Sequence, residues 1–246
     1  MKFIDLILTL FITTSAFAQS AEEIIKKADE KMQGKSNRGT LTMTIVRPKW
    51  TREVTMKTWG KGTEYSLVLI TAPARDKGMG TLKRQKELWN WQPSIDRIIK
   101  LPPSMMMQSW MGSDFTNDDL VNQSAMVTDY EYELLGDTLI GKYDTWKVAL
   151  IPKEETAVVW GKIEAYISKV EYYQMMFKYY DEDGYPVNTM IMSDIKKMGN
   201  RMIPTKMEMI PAENPDQKTI LMYSNFEFDM ELADSFFSIQ NLKRLR

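Results

Sequence analysis

The sequence predicts a mainly β protein built on one large, curved antiparallel sheet, covered by an N-terminal helix and a methionine-rich segment. Three observations point there. About ten or eleven runs alternate apolar and polar residues with a period of two, separated by Gly and Pro turns. No helix is read between most of these runs, which argues against a βαβ fold. One connecting segment, Leu101 to Phe115, carries Met105, Met106, Met107, Trp110 and Met111, where connections are normally polar.

The elements follow in order. MKFIDLILTLFITTSAFAQS has Lys2, an apolar run of about a dozen residues and Ala16-Phe17-Ala18, the layout of a secretory signal peptide. Cleavage is expected after Ala18, leaving residues 19–246 as a single exported, soluble domain. No cysteine follows that site, so an anchor on a lipidated thiol is excluded. The apolar run is too short for a spanning helix, which needs about 20 residues. In SAEEIIKKADEKMQG, Ser20 and Glu23 form a capping-box pattern, and Gly34 ends the helix. Ile24, Ile25, Ala28 and Met32 make its apolar face.

The period then changes to two. Leu41, Met43 and Ile45 share one side of a strand, and Val54 and Met56 share one side of the next. Gly60-Lys61-Gly62 marks a turn before EYSLVLIT. TLKRQKELWNWQ reads as two strands or one bent strand, and RIIKL follows the Pro93-Ser94 turn. Seven further runs, from YEYELLGD to KTILMYSNFEFD, complete the meander, with turns at Asp183-Gly184 and Gly199-Asn200. ADSFFSIQNLKRLR closes the chain with a short helix.

Composition excludes much enzyme chemistry. The chain has no histidine and no cysteine, so a Ser-His-Asp triad, a thiol nucleophile and His- or Cys-based zinc sites are all impossible. No catalytic activity and no cofactor are expected. A formal net charge of −1, from 32 basic and 33 acidic residues, recruits no nucleic acid.

A sheet of this size must close, stack or curl around something to hide its apolar face. Each large apolar side chain of the Leu101–Phe115 segment is worth roughly 1.5–3 kcal/mol when buried. These side chains are therefore expected to cover apolar surface and not to stand in water. A helix and this segment packed into the concave face of a curved sheet would supply the cover.

The run from Gly80 to Leu120 resembles the outer-membrane lipoprotein-sorting protein family. The likeness is carried by Trp91 and Pro93, then Arg97, then Met111-Gly112-Ser113-Asp114-Phe115 with Asp119-Leu120 behind it. The resemblance implies a LolA-like half-open β-barrel with a lid over an apolar cavity. It implies periplasmic handling of a lipid or lipoprotein acyl chain for transfer toward the outer membrane. An inner-membrane exporter is the implied protein partner, with transient membrane contact. An envelope sensor or scaffold, using the same half-barrel to bind a protein, is the alternative.

Ligand-binding residues are expected at Trp89, Trp91, Met105, Met106, Met107, Trp110, Met111 and Phe115. Trp89 and Trp91 lie two apart and so share a strand face, as a cavity wall or as ordinary core. Methionine is flexible and polarizable, which suits a lid over ligands of varied shape. Met190 with Met192, and Met207 with Met209, repeat the theme at strand spacing. Asp114, Asp118 and Asp119 could hold a hard cation, but no EF-hand spacing is present and Thr116-x-x-Asp119 reads better as a helix cap. Ser113 lacks a G-x-S-x-G frame. Two basic clusters, Lys83, Arg84 and Lys86 and then Lys243, Arg244 and Arg246, read as solvated surface, with anionic headgroup contact as the other reading.

Overall fold

The computed structural model describes residues 19–122, 125–154, 156 and 158–245. The expected signal peptide, residues 1–18, and Arg246 lie outside them. Helix α1 (Ala21–Gln33) leads into β1 (Ser36–Arg47), β2 (Trp50–Lys61), β3 (Tyr65–Ala72), β4 (Gly80–Arg84), β5 (Glu87–Gln92) and β6 (Arg97–Lys100). Helix α2 (Asn117–Asn122) precedes β7 (Tyr130–Ile140), β8 (Tyr143–Pro152), β9 (Lys162–Ser168) and β10 (Gln174–Tyr180). Then come β11 (Pro186–Met198), β12 (Arg201–Pro211), β13 (Lys218–Phe228) and helix α3 (Ile239–Arg244).

Among the described residues thirteen strands, not about ten or eleven, form one antiparallel sheet in the order β6-β5-β4-β3-β2-β1-β13-β12-β11-β10-β9-β8-β7. The TLKRQKELWNWQ run is a hairpin. Arg84 pairs with Glu87, leaving Gln85-Lys86 as a two-residue turn. Gln85 takes the left-handed conformation, φ 56°, without the Gly or Asn that would announce it. The order explains the connection problem. The chain winds outward from β1 to the edge strand β6, then resumes at the opposite edge, β7, and winds back until β13 pairs with β1. The sheet stays unclosed, and residues 101–129 must travel from one edge to the other.

Helix α1 forms as its sequence dictates. The Ser20 hydroxyl accepts from the Glu23 amide at 3.1 Å, and Ile24, Ile25, Ala28 and Met32 are buried. Gly34 closes the helix at φ 63°. The buried face packs into the concave side, against Ile163, Ile167 and Phe177 among others.

The sheet also has a covered convex side. Strand β3 is buried on both faces across its middle. Val68 and Ile70 face inward with Trp110, while Leu67 and Leu69 face outward against Phe237 and Leu242 of the C-terminal segment. The closing helix, capped by Ser238, is therefore a clasp on the convex side.

At the centre of the sheet, Gly39 pairs with Phe226, whose ring lies over it. A Cβ at Gly39 would sit 2.0 Å from the Phe226 ring and 2.4 Å from the Asn225 carbonyl oxygen. The backbone clash has no cheap escape. Gly39→Ala is expected to lower stability by about 1–3 kcal/mol, read as a shifted urea midpoint. An unchanged midpoint would show that β1 and β13 slide apart freely there.

Candidate functional site

The concave face encloses a hollow of about 1680 Å³, its open mouth included. Its floor is methionine. Met190 and Met192 of β11 pair in register with Met209 and Met207 of β12, and all four line the hollow. Trp110 and Phe115 reach in from the connecting segment.

That segment is closed on itself by its backbone. The Trp110 amide donates to the Phe115 carbonyl at 2.8 Å, the Asn117 amide to Gln108 at 2.9 Å and the Asp118 amide to Met106 at 3.0 Å. Its far end is fastened to the sheet. Arg47 of β1 grips Asp114 with two hydrogen bonds, 3.1 and 3.0 Å long. Thr219 of β13 donates to the same carboxylate at 2.6 Å and accepts from the Asp114 amide at 2.9 Å. Arg52 adds a bond to the Met111 carbonyl at 3.3 Å.

The three aspartates of this stretch diverge. Asp114 is the anchor. Asp119 and Thr116 complete a capping box on α2, with bonds of 2.7 and 3.1 Å, and Trp160 donates to Asp119 at 3.2 Å. Burial raises the Asp119 pKa, with the Thr116 and Trp160 bonds opposing. Asp118 lines the hollow. Ser113 is a turn residue, its hydroxyl bonded to the Trp110 carbonyl at 2.7 Å.

Two ionisable groups sit in the wall at a cost. Asp29 of α1 lines the hollow, and burial, helped by Glu30, pushes its carboxyl up to about 7. Lys83 of β4 is only 7% exposed. Burial brings its ammonium down to about 8, against the pull of Asp129, Asp118 and Glu64.

The Asp29 shift has a definite sign. A carboxyl whose folded pKa lies above its unfolded value of 3.8 binds its proton more tightly when folded. Its presence therefore costs stability progressively as pH rises from about 4 to about 7. Asp29→Asn is expected to melt higher than the parent at pH 8, with the gap closing by pH 4. Thermal melts across this range check it, and a gap independent of pH would contradict it.

Residues 62–244 match a family model described as "Uncharacterized protein". The fold matches several solved structures. A DUF1329 family protein from Desulfovibrio piger superposes with a TM-score of 0.82 at 21% identity, covering 90% of this chain and 97% of that one. A LolA superfamily protein from Nitrosomonas europaea gives 0.78 at 23%, covering 91% and 100%. A domain from Vibrio parahaemolyticus named for outer membrane lipoprotein sorting gives 0.79 at 18%, covering 91% and 98%. The chain belongs to the family whose model matches residues 62–244, and its fold is LolA-like. No curated protein matches the sequence.

Of the residues expected from the sequence, Trp110 and Phe115 both line the LolA-like hollow. The other expected residues are placed elsewhere. Trp89 and Trp91 share a strand face, but it is the convex one. Trp89 pairs with Leu82, and Trp91 packs in the cluster of Phe237 and Leu242, with Lys243 4.8 Å over its ring. Strand spacing tells which residues share a face and not which face it is. Met106 packs on Leu88 and Leu101, and Met111 against the Val54 and Met56 cluster. Met105 is half-buried outside the hollow. Met107 is 60% exposed, contrary to the expectation that this segment shuns water. Its side chain points off a loop already anchored by its neighbours' backbone bonds.

Sequence reading undervalued two features. The strand methionines were noticed as pairs, yet they form the floor. Lys83 was grouped with Arg84 and Lys86 as solvated surface. Arg84 and Lys86 are exposed, but β4 alternation turns Lys83 inward beside Thr81. A lysine in a charged run carries no local signal of that burial.

Proposed function

We propose that this LolA-like protein is a periplasmic carrier that binds a lipid or lipoprotein acyl chain and performs no catalysis. The methionine-floored hollow is the observation that supports this most. An acyl chain entering it leaves water, at about 0.8 kcal/mol per methylene buried. Methionine side chains adapt to chains of different shape without a fixed complementary surface. Trp110 and Phe115 are the proposed contacts from the connecting segment, with Met105, Met106 and Met111 as its outer layer, while Met107 stands in water and takes no part. Transfer proceeds by exchange with a partner, for which an inner-membrane exporter is the candidate donor, through transient membrane contact. Among the described residues no helix is long and apolar enough to cross a membrane.

Protein purified from cells is expected to release lipid into an organic extract, read by mass spectrometry, and to take up a fluorescent fatty acid. An empty extract together with no uptake would end the carrier reading. The scaffold alternative has one observation in its favour. Edge strand β7 exposes Leu134, Leu135 and Leu139, the last 69% exposed. A stable protein complex lost in Leu139→Asp, but kept when the hollow is filled, would favour it.

A further inference from the structure

The hollow is chemically lopsided. Opposite the methionine floor, a row of four residues crosses β1 to β4 in register: Asn37 with Gly60, Gly60 with Ser66, and Ser66 with Lys83. All four line the hollow. The row contributes an amide, a bare backbone position, a hydroxyl and an ammonium to a lining that elsewhere carries Asp29, Asp118 and Asp119 besides its methionines. Two residues before Gly60 on β2, Thr58 adds a buried hydroxyl with no hydrogen-bond partner among the described residues.

Lys83 is the unusual member. Its ammonium has three protons to donate. Among the described residues it makes a single hydrogen bond, to the Thr63 carbonyl at 2.6 Å, and no ion pair. The carboxylates of Asp129, Asp118 and Glu64 act on it electrostatically. Lysine is almost never buried unless paired. Taking its charge out of water is costly, and a methionine of similar length would fill the wall without that cost. A group kept at a cost in a cavity wall is a candidate for function.

We infer that the hollow accepts an amphiphile with an anionic head, a carboxylate or a phosphate, seated against Lys83 and Ser66, with its chain over the methionine floor. This inference rests on the carrier reading and adds the polarity of the cargo to it. The anion would supply the ion pair that Lys83 lacks, in a setting drier than bulk water where such a bond is stronger. Ser66, directly across the β3–β4 pair, can donate a second bond. Gly60 leaves the space beside it open. A Cβ there would come within 3.0 Å of the Asn37 side chain, so a larger residue would crowd the row.

The test is displacement of neutral N-phenylnaphthylamine from the purified protein by four ligands of one chain length: dodecanoate, dodecyl phosphate, dodecanol and dodecyltrimethylammonium. The two anions are expected to bind on the order of tenfold to a hundredfold more tightly than the alcohol, and the cation most weakly. Lys83→Met is expected to bring the anions level with dodecanol, leave dodecanol affinity unchanged and raise the melting temperature. Lys83→Arg is expected to retain the anion preference in part. Inorganic phosphate at the same concentration is expected not to compete with dodecyl phosphate.

Equal binding of anion and alcohol by the parent protein overturns the inference and leaves the carrier reading standing. So does a Lys83→Met variant that keeps the preference. Competition by inorganic phosphate alone makes the row a free-anion site and overturns the lipid-head assignment. Failure of all four ligands to displace the reporter sinks the carrier reading, and this inference with it.

Discussion

An Asp114→Ala variant is expected to lose about 3–5 kcal/mol of stability, the usual result of stripping one partner from a buried ion pair. Asp114 and Arg47 keep side-chain exposures of only 8% and 13%, so the orphaned guanidinium could not rehydrate cheaply. Three donors would lose their acceptor together: the two Arg47 bonds and the Thr219 hydroxyl. The consequence goes beyond stability. Asp114 ties the edge-to-edge connection to the middle of the sheet, and Trp110 and Phe115 hang from the tied part. Amide exchange over residues 105–119 is therefore expected to accelerate more than exchange in β11 or β12. An apolar replacement of both partners, Arg47→Met with Asp114→Leu, is expected to recover much of the loss, since the cost lies in the unpaired charge. Urea denaturation of all three proteins decides it. A loss under about 1 kcal/mol in Asp114→Ala would mean that the connection is held by its own backbone bonds and not by this anchor.

Filling the hollow should separate the fold from its proposed use. Met190→Trp places a larger side chain on the floor, where Met190 pairs with Met209. Excluding even two methylenes of a bound chain costs about 1.6 kcal/mol, roughly fifteenfold in affinity. Binding of a fluorescent fatty acid is expected to fall by at least that factor, while far-UV circular dichroism stays unchanged. Met107→Asp is the matched control. It adds a charge to an exposed methionine and should leave uptake as it was. Full uptake by a folded Met190→Trp protein would exclude this floor as the binding surface.

Much of this architecture is written locally. The apolar face of α1 was read residue for residue, because a helix period of 3.6 needs only four well-spaced side chains to declare itself. The strands were legible because period-two alternation and turn residues act over a few positions. The β4–β5 turn was less legible, since Gln85 adopts a left-handed conformation without glycine. The candidate site was legible only in part. Trp110 and Phe115 were anticipated from a greasy connection, but Trp89 and Trp91 look identical to cavity residues in sequence. Their convex placement depends on the C-terminal clasp, far downstream in the chain, packing over that face.

The sequence alone determined the class of fold, the exclusion of histidine and thiol chemistry, and the presence of an apolar surplus that had to be covered. Periodicity, turn residues and composition are local or summed quantities, and no contact map is needed to read them. Only the tertiary structure decided which face of each strand lines the hollow, that Lys83 turns inward, and that Asp114 is an anchor. Alternation is symmetric between the two faces of a sheet. The sign is set by long-range pairing, here by β13 returning to β1 and by α1 and α3 taking opposite sides.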